Sequence, residues 1–123
     1  MDASAAAAVI FREPDAEAVG AHLFGAGGVV VPHLFPLEVA NVGRTKVLMG
    51  ELAWAAARRL LHTLDRWPMR IVQVTWRQAW PLAHRHGLTL YDAAYFYLVR
   101  SRRLQLLSLD QQLCRVAGTR SLL

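Results

Sequence analysis

Residues 88–117, LTLYDAAYFYLVRSRRLQLLSLDQQLCRVA, decide how this chain is read. Thr89 is placed to cap a helix whose apolar face includes Ala93, Phe96, Tyr97 and the aliphatic stem of Arg100, and Leu104 to Leu107 then reads as a short buried strand. Asp92 lies in the first turn of that helix and Asp110 comes just after the strand. In an open parallel sheet, polar residues at the carboxyl ends of strands gather in the crevice where ligands bind, so a strand-end Asp is brought near a helix-borne one. A purely structural reading competes with this. Thr89-x-x-Asp92 and Ser108-x-x-Gln111 both fit capping boxes, which satisfy free amides at helix starts. More acids in apolar surroundings are needed to separate the two readings.

The rest of the chain supplies them. Ala3 to Phe11 reads as an alanine-rich helix with Asp2 or Ser4 as its N-cap, and Pro14, Asp15 and Glu17 mark the start of a second helix. Gly25, Gly27 and Gly28 end that helix, and the β-branched run Val29 to Val31 reads as a parallel strand buried on both faces. A long helix follows from Leu34, with Glu38 in its first turns and Asn41 three residues on. Glu51 is read as opening the next helix, which runs to about Trp67 and presents Arg58, Arg59, Asp65 and Arg66 on a solvated face. After Pro68, Ile71 to Val74 reads as a strand; Thr75-x-x-Gln78 caps a helix that stops at Gly87 and is expected to kink at Pro81. Trp76 and Trp80 fall one turn apart on that helix, suited first to packing and second to an interface. Arg120 to Leu123 reads as a final edge strand. Helices alternating with short apolar strands give an α/β/α sandwich with a mostly parallel central sheet, formed by residues 1–123 as one domain.

Composition narrows the function classes. Apolar residues make up 54% of the chain, above the usual figure of about 45–50%, so a partner or a second copy is expected to cover part of the surface. The formal charge of +5 favours polyanionic partners. The single cysteine, Cys114, excludes an internal disulfide and fits a reducing, cytoplasmic location. The early apolar run is too short to span a bilayer, so no membrane role is expected. The histidines lack thiol or carboxylate neighbours at zinc-ligand spacing.

Asp2, Glu38, Asp92 and Asp110 are the acids set in apolar contexts, each beside an expected strand end or in the first turn of a helix. Carboxylates gathered at one sheet edge repel and raise one another's pKa unless a cation neutralises them. The hard cation suited to an all-oxygen set is Mg2+ or Mn2+, and the chemistry it implies is phosphodiester hydrolysis by a metal-activated water.

At this point the sequence resembles the PIN-domain ribonucleases, and most closely the VapC toxins of bacterial toxin–antitoxin pairs. The matching pieces are Asp2-Ala3-Ser4, Glu38-Val39-Ala40-Asn41, Leu90-Tyr91-Asp92-Ala93-Ala94 and Ser108-Leu109-Asp110-Gln111-Gln112-Leu113, in family order and spacing. The resemblance implies that Asp2, Asp92 and Asp110 bind metal directly or through water, that Glu38 completes the acidic set, and that Ser4, Asn41 and Ser108 support it. It also implies an RNA substrate, a homodimer and a cognate antitoxin that covers an apolar groove. Arg102 and Arg103 are the weaker candidates for phosphate contacts. The family places several residues of central strand ahead of its first Asp, where this sequence has Met1 alone. The sequence as written is therefore expected to lack a few residues at its front or to hold a weak first ligand. Two rivals stand beside this reading. One is a catalytically weakened domain that binds RNA or an antitoxin without cleaving. The other is a receiver-like signalling domain, for which the paired acids of the first strand and the strand-end lysine are missing.

Overall fold

Side-chain caps set four of the helix starts. The computed structural model describes residues 1–25 and 28–118. Asp2 caps α1 (Ala3–Ile10), and α2 (Ala16–Gly25) leads to β1 (Val29–Pro32). Next come α3 (Phe35–Leu48) and α4 (Trp54–His62), which tightens into a 3-10 turn over Thr63–Arg66 before β2 (Met69–Val72). Thr75 and Gln78 form a full capping box on α5 (Trp76–His86), Thr89 caps α6 (Leu90–Arg102), and Asp110 caps α7 (Gln111–Ala117).

β1 and β2 pair in parallel, with Val29 opposite Met69 and Pro32 opposite Val72. That register moves the second strand two residues earlier than the Ile71–Val74 expected from the apolar run. Pro68 already accepts from the Val29 amide at 3.0 Å, and the Val74 amide turns aside to His33 Nδ1 at 3.4 Å. Leu104 to Leu107, expected as a strand, joins no ladder. Its backbone receives one rung, from the Asp2 amide to the Leu107 carbonyl at 3.1 Å, because the chain beyond Asp2 turns straight into α1. A cavity of about 330 Å3 separates β1 from this segment, bounded by Val29, Val30, Met1, Tyr95, Leu98 and Leu106 among others.

Two further boundaries differ from the reading of the sequence. Glu51 lies in the turn before α4, where its amide closes the end of α3 on the Lys46 carbonyl at 2.9 Å. Ser108 does not cap α7, since that place belongs to Asp110. The helix α5 ends at Gly87, with φ of 64°, where the sequence reading places its stop, and it continues through Pro81 as one helix. The expected strand at residues 120–123 lies outside the described residues.

The core sits where α1, α3 and α6 meet around β1. Ala5, Ala6 and Ala8 are completely buried, and their small side chains let α1 lie close against α2 and α3. Gly43 serves the same contact from α3: a Cβ there would stand 2.8 Å from the Phe11 ring. Val31, Phe35 and Val39 run from β1 into α3 with no exposed surface, so the start of α3 is anchored from below. On α6, Ala93, Ala94, Tyr95, Phe96 and Leu98 are buried, whereas Arg100 is exposed. Both helix starts that carry the acids Glu38 and Asp92 are thereby fixed to the same core.

Candidate active site

Asp2 is the hub of the site. It is only 5% exposed, and its Oδ1 accepts from Ser4 Oγ at 2.7 Å and from the Ala5 amide at 3.2 Å. Its Oδ2 accepts from Ser108 Oγ at 2.6 Å. The two serines pass the contact on, because Ser4 Oγ accepts the Leu109 amide and Ser108 Oγ the Asp110 amide, at 3.1 and 2.9 Å. A carboxylate has about four lone-pair positions, so three accepted bonds leave Asp2 one for another donor or a cation.

Glu38 and Asp92 are half-buried and carry the electrostatic strain. Burial pushes the Glu38 carboxyl above its ordinary range; the Tyr95 hydrogen bond opposes that shift, while the charges of Asp92 and Asp2 add to it. Burial likewise raises Asp92, the charge of Asp110 raises it further, the Thr89 hydroxyl opposes, and Asp2 adds a little. Glu38 therefore lies in the field of Asp92 and Asp2, and Asp92 in that of Asp110 and Asp2, although these acids come from four separate segments. Tyr95 Oη donates to Glu38 Oε1 at 2.7 Å. Reading the sequence missed Tyr95. The signal was its place three residues after Asp92, which puts both on one face of α6.

The remaining candidates divide. Asp110 uses Oδ1 to accept the Leu113 amide at 2.9 Å, as an N-cap does. Asn41 is exposed on α3, and its carbonyl accepts from the Thr45 hydroxyl at 3.0 Å. Arg102 and Arg103 stand at the far end of α6, about 15 Å of helix from Asp92 at the usual rise. Trp76 and Trp80 are 58% and 62% exposed, so an interface, not the core, is what they offer this fold.

Among the described residues no three of His, Cys, Asp or Glu stand close enough together to hold a metal ion. The donor chemistry fits a hard cation all the same: the set is purely carboxylate, and two members are destabilised as anions first by burial and then by their neighbours' charges.

The chain matches the PIN domain family over residues 1–119 and belongs to it. Its fold is the three-layer α/β/α sandwich of that family, with a parallel sheet. The chain is also VapC-like. It is 33% identical over 94 residues to Ribonuclease VapC1 of Mycobacterium tuberculosis, in strains CDC 1551 / Oshkosh and ATCC 25618 / H37Rv alike. That match takes in 71% of this chain and 66% of the relative, slightly under two thirds of its length. The crystal structure of PAE2754 from Pyrobaculum aerophilum superposes with a TM-score of 0.76 at 26% identity, covering 94% of this chain and 76% of that one.

Proposed function

We propose that the protein is a Mg2+- or Mn2+-dependent endoribonuclease, the toxin of a toxin–antitoxin pair. The observation that carries this is the convergence of acids from separate segments: Glu38 is held 2.7 Å from Tyr95, on the helix that bears Asp92, and Asp2 is tied through Ser108 to Asp110. Glu38 and Asp92 are each raised by burial and then by the charges of other acids, a state that a cation relieves. Asp92, Asp110 and Asp2 would hold the cation directly or through water, with Glu38 completing the set. A bound Mg2+ or Mn2+ supplies a water acidic enough to attack a phosphodiester at neutral pH. The residues do the rest. Ser4 and Ser108 fix the Asp2 carboxylate, the Thr89 cap fixes the helix start that bears Asp92, and the α7 cap fixes Asp110.

A net charge of +5 supports an RNA substrate, and the similarity to a protein named as a ribonuclease supports the same class. The exposed Leu37, Leu48, Met49 and Trp54 on α3 and α4 support cover by an antitoxin, and Trp76 and Trp80 support a homodimer. No described helix is long and apolar enough to cross a membrane, and Cys114 is buried; a cytoplasmic location is part of the proposal. The test is incubation of total RNA with the purified chain in Mg2+, in Mn2+ and in EDTA. Cleavage in either metal that stops in EDTA is expected, and cleavage undiminished by EDTA would overturn the metal-dependent reading.

A second reading is favoured by one specific observation. Asp2 and Asp110 already spend oxygens on helix caps, and among the described residues no triad of ligands is gathered. A domain that binds RNA or an antitoxin without cutting would show RNA binding with no cleavage in either metal.

A further inference from the structure

We infer that Tyr95 is a positioning residue that fixes Glu38 with one oxygen committed and the other free for the site. The inference rests on the nuclease reading above. Tyr95 is 3% exposed, with its ring packed in the core alongside Val31, Phe35 and Val39, so its hydroxyl is held by the fold and not by the site. That hydroxyl lies 2.7 Å from Glu38 Oε1, a length typical of an O–H donor on an ionised carboxylate.

Glu38 has a long side chain and a choice of rotamers, and it starts from the first turn of an N-terminal helix end that supplies it no side-chain cap. Left alone, its carboxylate would turn toward water. The Tyr95 bond selects the inward rotamer across 57 residues of sequence, so that Glu38 meets the field of Asp92 and Asp2. Oε2 is then the oxygen left to accept from a water or a cation. Asp92 and Tyr95 share one face of α6, so a single helix both supplies an acid and sets the direction of its neighbour on α3.

Tyr95→Phe keeps the ring and removes the donor. With Mn2+ and RNA, the variant is expected to bind Mn2+ about tenfold more weakly and to lose about tenfold in kcat, the scale of such supporting contacts, while its KM for RNA stays within about twofold. Adding Tyr95→Phe to Glu38→Gln should change Mn2+ affinity by less than about twofold, because the second change acts only through the first. Melting of all four proteins in EDTA gives the metal-free readout: the two single changes should be coupled, their effects together differing from their sum. Unchanged Mn2+ affinity and kcat in Tyr95→Phe would overturn the inference while leaving the nuclease reading intact. So would a loss of Mn2+ affinity on Tyr95→Phe that is equal in the parent and in the Glu38→Gln background, which marks a general structural effect. A parent that binds no Mn2+ and cuts no RNA would overturn the nuclease reading and this inference with it.

Discussion

Ser108 Oγ lies 2.6 Å from Asp2 Oδ2 and ties together residues 106 positions apart in sequence. Both groups are nearly inaccessible, at 1% and 5% exposure, so water cannot take the place of either partner. Ser108 also accepts the Asp110 amide, and this one hydroxyl links the hub of the acidic site to the cap of the last described helix.

Ser108→Ala is therefore expected to destabilise the metal-free protein by about 1–3 kcal/mol, the usual range when a buried group is left without its partner. Urea unfolding in EDTA measures it, and the midpoint should fall with little change in slope. An unchanged midpoint would show that Asp2 finds another donor.

Glu38→Gln and Asp92→Asn are expected to abolish cleavage yet leave the metal-free fold as stable as the parent or slightly more so. The pH dependence follows with a definite sign. Both carboxyls titrate above their ordinary values of 4.5 and 3.8 in the folded chain, so the folded state binds these protons more tightly than the unfolded one. The penalty is full above the raised values and disappears as pH falls through them toward the ordinary ones. In EDTA, the parent should lose less stability than either variant, or gain more, on going from pH 7 to about pH 5. The Met1 amine, lowered by burial, works in the opposite sense at higher pH and is common to all three proteins. Parallel curves for parent and variants would remove the strain argument.

RNA binding should weaken steeply with salt. The acids repel the substrate, so basic side chains outside the site must supply the attraction. Binding of a non-cleavable RNA to Asp92→Asn across a salt series gives the slope. Arg102→Ala and Arg103→Ala should each lower that slope by about one if the RNA tracks past the far end of α6, and a slope unchanged in both would confine contacts to the acid end.

Pro81→Ala should stabilise the protein by about 1–3 kcal/mol. Proline at this interior position of α5 removes one helical hydrogen bond, the one to the Arg77 carbonyl, and its ring crowds that carbonyl. Thermal melting reads the gain. A loss instead would mean that the exposed proline holds a bend the α5–α6 contact needs.

The sequence by itself determined the helix starts that a local side chain caps, and the family. Thr75-x-x-Gln78, Thr89 and Asp2 act as caps where their short side chains stand beside free amides, and such local chemistry needs no knowledge of the distant chain. The order and spacing of the pieces around Asp2, Glu38, Asp92 and Asp110 likewise carried the family, as the match over residues 1–119 shows. Tertiary structure decided what depends on partners far along the chain. The register of β2 came from β1, and Leu104 to Leu107 formed no ladder because the chain beside it leaves for α1 after a single rung. Ser108 reads locally as a cap, yet its hydroxyl donates to the buried Asp2 carboxylate, and Asp110 accepts from the start of α7 in its place. Tyr95 reads as one aromatic among several in Tyr91-Asp92-Ala93-Ala94-Tyr95-Phe96-Tyr97. Only the tertiary fold, which brings α6 beside β1 and so within reach of the start of α3, singles out which of those hydroxyls reaches Glu38.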